Sequence, residues 1–290
     1  MLSPLHAAHY ADAAVQQRAV IIENVRQARD TYRVRLRCPT IARGIVPGQF
    51  LMLRLAEVND PLIGRAFALY DTAIDAHGEL TDVDIVYLAK GKLTTRLAEL
   101  APGRPLDVWG PLGNGFPADP VEHLIMVAGG IGQTPFLALG AEFLGRRQYG
   151  SPPRHFPPSR KVTLCYGARS ADMLAGVDDF QHLGVDVHIA TDDGSRGHHG
   201  LVTDVLRQVL DSQPGPHRIV CCGPEVMMEA VAALAQRRGS PCQVSLETPM
   251  ACGIGICFTC VAKIKDADGG WDYKRTCVEG PVFDSASIQW

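Results

Sequence analysis

The feature that most constrains the fold of this chain is a change in its hydrophobic pattern near Glu122. Before this point, short segments alternate polar and apolar residues, as in Tyr-Arg-Val-Arg-Leu-Arg at 32–37, and turn signals separate them. After it, continuous apolar segments alternate with helical ones. Alternation is typical of half-buried antiparallel strands, whereas apolar strands alternating with helices indicate a parallel sheet covered on both faces. The sequence therefore predicts a small antiparallel β-barrel followed by an α/β domain.

The individual elements can be predicted from the same pattern. For the barrel we predict one helix at 94–100 and six strands, at 19–24, 31–37, 49–55, 66–71, 83–88 and 106–109. For the α/β domain we predict strands at 123–127, 161–166, 185–190, 218–222 and 242–246, and helices at 134–144, 171–183, 201–210 and 224–238. The proline-rich segment 145–160 is expected to be an exposed loop within this domain.

Four cysteines near the C-terminus point to a metal centre: Cys252, Cys257, Cys260 and Cys277. Their spacing, C-x4-C-x2-C and then sixteen residues to the last cysteine, is that of a plant-type [2Fe–2S] cluster. A predicted hairpin of 261–264 and 271–274 would bring Cys277 back to the other three. Structural zinc is the alternative, but it would favour two CxxC-type pairs, and only Cys257 and Cys260 form one.

Composition and charge exclude several function classes. The chain has 290 residues, 46% of them hydrophobic, and a formal net charge of −3, which gives no electrostatic case for nucleic acid. No apolar run is long enough to span a membrane, and residues 1–17 do not resemble a signal peptide. The remaining cysteines, at 38, 165, 221, 222 and 242, suit buried thiols in a reducing compartment. We therefore expect a cytoplasmic protein.

Two glycine-containing turns in the α/β domain are candidate nicotinamide-dinucleotide sites. The first turn follows a strand and opens a helix, which favours phosphate binding, and its candidate residues are Gly129, Gly130, Gly132 and Thr134. The second carries Cys222, Gly223 and Pro224, and in a nicotinamide enzyme Cys222 would lie beside the reactive ring. Asp192, which ends a strand, could bind ribose hydroxyls. An ordinary turn, a buried thiol and a helix-capping carboxylate are the respective structural alternatives.

The barrel contains candidate flavin-binding residues. The strand beginning at Arg65 places a cation and an aromatic ring, Phe67, on one face, so that Arg65 could pair with a pyrophosphate and Phe67 could contact an isoalloxazine. A strand with core aromatics is the alternative. The turn at Gly91, with the hydroxyls of Thr94 and Thr95, offers a second phosphate contact at a helix N-terminus.

The whole order of motifs resembles the ferredoxin–NAD(P) reductase superfamily, and within it the electron-transfer subunits of dihydroorotate dehydrogenase B. The resemblance covers residues 18–290 and is most specific in Gly-Pro-Leu-Gly-Asn-Gly-Phe at 110–116, Ala-Thr-Asp-Asp-Gly-Ser at 190–195, Leu-Glu-Thr-Pro-Met-Ala-Cys-Gly-Ile-Gly-Ile-Cys at 246–257 and Cys-Val-Glu-Gly-Pro-Val-Phe at 277–283. It implies an N-terminal tail (1–17), an FAD-binding barrel (18–118), an NAD-binding domain (119–245) and a [2Fe–2S] domain (246–290).

This resemblance also implies cofactors, partner and site residues. FAD would be bound at Arg65, Ala66, Phe67 and Ala68, with Thr94 and Thr95 matching the phosphate-binding turn, and NAD would be the co-substrate. An FMN-binding catalytic subunit would oxidise dihydroorotate, and the family suggests a heterotetramer with two chains of each kind. Two positions depart from the family pattern: Ala68 stands where Ser or Thr is usual, and Leu93 where glycine is usual.

Two alternatives to this function remain at the level of sequence. A reductase subunit of a cytoplasmic hydrogenase or of a ferredoxin–NADP oxidoreductase would share FAD and the cluster but have another partner. A zinc-stabilised binding module with a reductase fold would have no redox function.

Overall fold

The computed structural model describes residues 11–213, 215–266 and 268–290. Its N-terminal part is a seven-stranded antiparallel sheet in the order β4-β3-β7-β1-β2-β6-β5. Its strands are β1 (Val15–Ala28), β2 (Thr31–Arg37), β3 (Phe50–Leu55), β4 (Arg65–Ala68), β5 (Asp71–Ile74), β6 (Leu80–Leu88) and β7 (Pro105–Leu112). The predicted tail at 1–17 lies partly outside the described residues, and β1 already pairs with β7 from Val15 onward.

The sheet closes into a barrel through the two residues that link its edge strands. The backbone N–H of Leu69 donates to the carbonyl of Gln49, next to β3, whereas the N–H of Tyr70 donates to the carbonyl of Asp84 in β6. Consecutive residues thus bond to opposite sides, and the chain crosses from one edge of the sheet to the other. For this reason the single strand predicted at 66–71 is observed as two strands, β4 and β5.

Two short helices cover the barrel, α1 (Pro39–Gly44) and α2 (Lys92–Ala98). Helix α1, which the sequence did not predict, begins at a proline and buries Ile41 and Ala42 in the barrel core. Helix α2 corresponds to the helix predicted at 94–100. It begins earlier because Gly91 is its N-cap, and the buried Leu93 packs into the barrel core.

The second part is a parallel sheet with helices on both faces, as predicted. Its strands are β8 (His123–Gly129), β9 (Lys161–Ala168), β10 (Asp186–Thr191), β11 (His198–His199), β12 (His217–Cys222) and β13 (Cys242–Ser245), in the order β11-β10-β9-β8-β12-β13. Its helices are α3 (Phe136–Phe143), α4 (Val177–Leu183), α5 (Val202–Ser212) and α6 (Glu225–Arg238). Every residue of β8 is buried, which explains the continuous apolar run in the sequence.

The segment 145–160 is a loop with mostly exposed residues, as its prolines predicted, but two of its side chains anchor it. Tyr149 is only 2% exposed and donates a 2.8 Å hydrogen bond to Asp71 on the barrel. Arg154 forms an ion pair with the buried Glu142 of α3 and donates to the carbonyl of Phe116. The segment therefore fastens the α/β domain to the barrel.

The C-terminal region is joined to both preceding parts. It contains the hairpin β14 (Val261–Lys265) and β15 (Trp271–Arg275), close to the prediction, and then β16 (Val282–Asp284). Strand β16 pairs antiparallel with β13 and so extends the α/β sheet by one strand. No helix among the described residues is both long enough and apolar enough to cross a membrane.

Candidate cluster and cofactor sites

The four predicted ligand cysteines lie together beside the barrel. Cys260 and Cys277 are each 1% exposed and belong to one apolar cluster with Phe50 and Met52 of β3. Cys252 is half-buried, and Cys257 is exposed. The cluster loop, which we define as residues 252–260, therefore has a buried side against the barrel and an open side at Cys257.

The thiols interact in two pairs. A hydrogen bond with Cys277 lowers the pKa of Cys260 to about 6, and burial opposes this shift. For Cys257, desolvation raises the pKa, but hydrogen bonds with Thr259 and Cys252 outweigh it and lower the pKa to about 6. Each pair thus favours one thiolate, the form that binds iron.

This arrangement fits a two-iron cluster better than a single zinc ion. A [2Fe–2S] cluster requires two thiolates for each iron, and pairs 252/257 and 260/277 supply them. The amide N–H of Ile254 also donates to Sγ of Cys252 at 3.4 Å, a contact of the kind that tunes such clusters.

The conformation of the cluster loop depends on two glycines and one arginine. Gly253 and Gly255 have φ angles of 74° and 85°, in the left-handed region that favours glycine. Arg275 donates a 2.9 Å hydrogen bond to the carbonyl of Gly255 and is held by an ion pair with Glu279. The two glycines and the contacts of Arg275 therefore fix the conformation of the cluster loop.

The candidate flavin strand is β4, at the edge of the barrel that faces the cluster loop. Arg65 is exposed and donates only to the carbonyls of Ile63 and Gly64 among the described residues, so its guanidinium is available to an anion. Phe67 packs partly into the barrel core, in edge-to-face contact with Tyr87. Ala66 contacts the apolar cluster that contains the ligand cysteines.

The predicted phosphate turn is largely satisfied by its own side chains. Thr94 accepts hydrogen bonds from the N–H groups of Lys90 and Gly91 and donates to the carbonyl of Gly91. This hydroxyl closes the turn that starts α2, which is a structural role. Thr95 is exposed, so its side chain is the one in this turn that stays open to a ligand.

A large cavity of about 1420 Å³ lies along the carboxyl ends of the parallel strands, where open α/β sheets bind their ligands. Its lining includes Gly130, Asp192, Gly223, Pro224 and Glu247. These residues come from the ends of β8, β10, β12 and β13, so the fold brings both predicted glycine turns and the predicted ribose ligand to one cavity.

The glycines of the two turns have different roles. A Cβ on Gly132 would lie 2.3 Å from the carbonyl oxygen of Cys222, and one on Gly129 would lie 2.5 Å from Sδ of Met227. These residues, like Gly223, allow the two turns to pack against each other. Of the glycines in these two turns, Gly130 is the one with open space at its Cβ position, and its φ is 55°. The side chain of Thr134, the other predicted residue of the first turn, is buried.

The two aspartates at the end of β10 are distinguished by their surroundings. Asp193 accepts hydrogen bonds from both the N–H and the hydroxyl of Ser195, which lower the pKa of its carboxyl, so it caps a turn. Asp192 lines the cavity, and no side-chain hydrogen bond or ion pair engages it within the described part of the chain. Asp192 is therefore the carboxylate available to a ribose.

Cys222 lies at the end of β12, with its thiol 3.9 Å from Oε1 of Glu247. Burial, and then the charge of Glu247, raise the pKa of Cys222 well above its usual range, so the thiol is neutral. Desolvation also raises the pKa of Glu247. Sequence reasoning assigned no role to Glu247, although it stands in the segment 246–257 that carried the family resemblance.

Comparisons with known proteins agree with this architecture. Residues 16–116 match the oxidoreductase FAD-binding domain, residues 126–233 the oxidoreductase NAD-binding domain, and residues 247–289 the iron-sulfur cluster binding domain of dihydroorotate dehydrogenase B. The barrel, the dinucleotide cavity and the four cysteines thus define an NAD-linked oxidoreductase of the ferredoxin-reductase type with FAD and an iron–sulfur cluster. The prediction of cofactors and fold is confirmed.

Relatives that align over nearly their whole length show which family of such oxidoreductases the chain belongs to. The chain is 36% identical over 277 residues to the dihydroorotate dehydrogenase B (NAD+) electron transfer subunit of Shouchella clausii, covering 94% of this chain and 98% of that protein. It is 34% identical over 264 residues to the protein of the same name in Desulforamulus reducens, covering 91% and 94%. The chain belongs to the family of electron-transfer subunits of dihydroorotate dehydrogenase B.

Solved structures show the same fold. One, described as giving insights into flavin-based electron bifurcation via the NADH-dependent reduced ferredoxin-NADP oxidoreductase structure, aligns with a TM-score of 0.76 at 26% identity, covering 94% of this chain and 90% of that one. The cytochrome b5 reductase domain of Ulva prolifera nitrate reductase aligns with a TM-score of 0.61 at 19% identity over 78% of this chain and 93% of that domain, which supports the fold alone.

Proposed function

We propose that this chain carries electrons from an FMN-binding catalytic subunit, which oxidises dihydroorotate to orotate, to NAD+ during pyrimidine synthesis. When bound, the [2Fe–2S] cluster supplies one-electron transfer and FAD supplies hydride transfer to the nicotinamide. The observation that carries the proposal is a pair of contacts: Ala66 of β4 packs against the group that contains Cys260 and Cys277, and the cavity is lined by Glu247 and Thr248, shortly before Cys252. The role of the protein is to orient these groups and exclude other reactions.

The dinucleotide is assigned to the cavity at the carboxyl ends of the sheet. Asp192 would accept hydrogen bonds from ribose hydroxyls, and Gly130 would allow the phosphates to approach the backbone. The nicotinamide would then lie near Gly223 and Pro224, beside the neutral thiol of Cys222. In this position Cys222 is the candidate catalytic residue, because its side chain would contact the reacting ring.

The flavin is assigned to β4 and the neighbouring α2 turn. Arg65 has a guanidinium free to pair with a pyrophosphate, and Thr95 is open at the same end of the barrel. Phe67 is the aromatic side chain of this strand that would contact the isoalloxazine. Because Ala68 has no hydroxyl, any hydrogen bond from this position to the flavin must come from the backbone.

The partner is assigned to the open side of the cluster loop. Cys257 is exposed there between Ile256 and Phe258, which are 65% and 63% exposed. Large apolar side chains flanking an exposed cluster ligand are expected at a protein–protein interface, because association removes them from water. We assign this surface to the FMN-binding catalytic subunit, in an assembly with two chains of each kind.

The burial of the other cysteines supports a reducing compartment. All nine cysteines lie within the described residues, and none forms a disulfide. Five of them are buried in the barrel or sheet cores outside the cluster loop. This pattern is typical of proteins in the cytoplasm, which is the location we propose.

Reconstitution with a candidate partner tests the function. Purified chain, loaded with FAD and cluster, is mixed with an FMN-binding dihydroorotate dehydrogenase chain, and NADH formation is followed after dihydroorotate is added. We expect NADH to form only when both chains are present. If NADH does not form, while a ferredoxin or hydrogenase partner accepts electrons from NADH through this chain, the assigned partner is wrong.

A further inference from the structure

The barrel and the ligand cysteines share one apolar core. Phe50 and Met52 of β3, Leu112 of β7, and Val278 pack with the ligand cysteines Cys260 and Cys277. Ala66 of β4 and Trp109 of β7 pack against the same group. Because side chains alternate along a strand, Ala66 faces the cluster while Arg65 and Phe67 lie on the opposite face of β4. The strand that is assigned to the flavin therefore separates it from the cluster by one layer of side chains.

The indole of Trp109 connects the two sides of this layer. Its Nε1–H donates a 2.8 Å hydrogen bond to the backbone carbonyl of the ligand Cys252. The opposite edge of the ring lies against Gly64, the residue before Arg65, because a Cβ added to Gly64 would be 2.8 Å from Cη2 of Trp109. One side chain thus contacts both the cluster loop and the start of the flavin strand.

Met52 adds a second contact beside the indole. In the barrel sheet it pairs with both Ala66 and Trp109. It is fully buried, and a Cβ added to Gly253 would lie 2.6 Å from its Cγ. Gly253 follows Cys252 directly, so both the carbonyl of this ligand and the next residue are in contact with the barrel.

We propose that Trp109 is a positioning residue that fixes the Cys252 end of the cluster loop against β4 and raises the reduction potential of the cluster. The partial positive charge on the indole N–H points toward the carbonyl of a ligand cysteine, and it stabilises the more negative, reduced state. The fixed contact also holds the distance between cluster and flavin constant. The claim about the distance between cluster and flavin rests on the proposed placement of the flavin at β4. The claim about the reduction potential does not.

The substitution Trp109→Phe tests the proposal, because phenylalanine keeps the ring contact and removes the N–H. We expect the midpoint potential of the cluster to become more negative, with altered g values in its electron paramagnetic resonance (EPR) spectrum. The rate at which NADH-reduced flavin reduces the cluster should fall by about 10-fold, since outer-shell partners of metal ligands have effects of that order. Trp271→Phe is the matched control, because Trp271 is exposed on the hairpin in contact with Tyr273 and should leave potential and g values unchanged.

A second variant keeps the proposal testable if Trp109→Phe does not fold. Incorporation of benzothienylalanine at position 109 keeps the bicyclic shape and replaces the N–H by sulfur, so the same shift in potential is expected in a fully folded protein. Unchanged potential, g values and transfer rate in both variants would overturn the proposal. An incorrect flavin placement would appear separately, as FAD affinity that is insensitive to Arg65→Ala, and would leave the expected shift in potential intact.

Discussion

The thiol of Cys222 and the carboxyl group of Glu247 meet at the end of the dinucleotide cavity, 3.9 Å apart. Cys222 comes from the last residue of β12 and Glu247 from the coil after β13, two neighbouring parallel strands. Burial raises the pKa of both groups, so the thiol stays a neutral donor and the carboxyl resists ionisation. The cavity thus contains an ionisable group next to the assigned nicotinamide position.

Glu247→Gln is expected to stabilise the chain in the absence of ligands at neutral pH. The folded-state pKa of Glu247 is raised, so its contribution to stability is complete below the unfolded-state pKa and is lost as pH rises through the folded-state value. Glutamine removes this cost. The gain in the free energy of unfolding, measured by denaturant titration, should be largest at pH 7–8 and shrink as pH falls. A gain that is independent of pH would show that the carboxyl is not desolvated.

Asp192→Asn is expected to weaken NADH binding, and Asp193→Asn is the matched control. Asp192 faces the cavity, whereas Asp193 is engaged by Ser195 in a turn. We expect Kd for NADH, measured by fluorescence titration, to rise about 10-fold for Asp192→Asn, the effect of losing a charged hydrogen bond of roughly 1.4 kcal/mol. An equal rise in both variants, or none in Asp192→Asn, would contradict the assignment of the ribose site.

Phe258→Ser is expected to weaken association with the catalytic subunit without affecting the isolated chain. Phe258 is 63% exposed beside Cys257, and its ring lies 5.1 Å from the guanidinium of Arg275. Ile74→Ser removes a comparably exposed apolar side chain from β5 and serves as the control. Binding to the partner, measured by biolayer interferometry, should be lost or weakened only for Phe258→Ser. If Ile74→Ser has the same effect, the cluster loop is not the docking surface.

Cys257→Ser is expected to separate the two halves of the electron path. Serine is a poorer iron ligand than thiolate, so the cluster is altered or lost. Cys257 itself is exposed and lies outside the apolar core that Cys260 and Cys277 share with the barrel, so the barrel and the cavity should keep their structure. NADH reduction of FAD, followed at the flavin absorbance band, should stay largely intact, and transfer to the partner should be blocked. Equal loss of both activities would indicate that the cluster mainly stabilises the fold.

The regular elements were predictable where hydrophobic pattern alone determines them. The strands at 31–37 and 123–129 have burial patterns that follow from local sequence, and both were predicted within two residues. Helix α1 was missed because six residues, the first of them a proline, are too few to show a helical period. The exposed loop at 145–160 was predicted, but its contacts with Asp71 and Glu142 were not, because neither partner can be identified from the segment itself.

The candidate sites were predictable as sets of residues and less so as contacts. The spacing of the four cysteines was sufficient for the cluster, because cluster geometry restricts which spacings can converge. Which aspartate caps the turn, and which glycines pack rather than face the cavity, depends on contacts between separate strands. The same is true of Glu247 and Trp109, whose contacts join residues that are far apart in the chain.

An anaerobic titration of the purified chain with NADH, followed by absorbance and EPR together, tests whether electrons pass from NADH through FAD to a [2Fe–2S] cluster in this chain. We expect bleaching of one flavin per chain, together with a rhombic EPR signal from one reduced [2Fe–2S] cluster, at two irons per chain. A colourless, EPR-silent preparation that contains zinc after anaerobic reconstitution, or a flavin that bleaches while the cluster stays oxidised in the presence of excess NADH, would contradict this expectation.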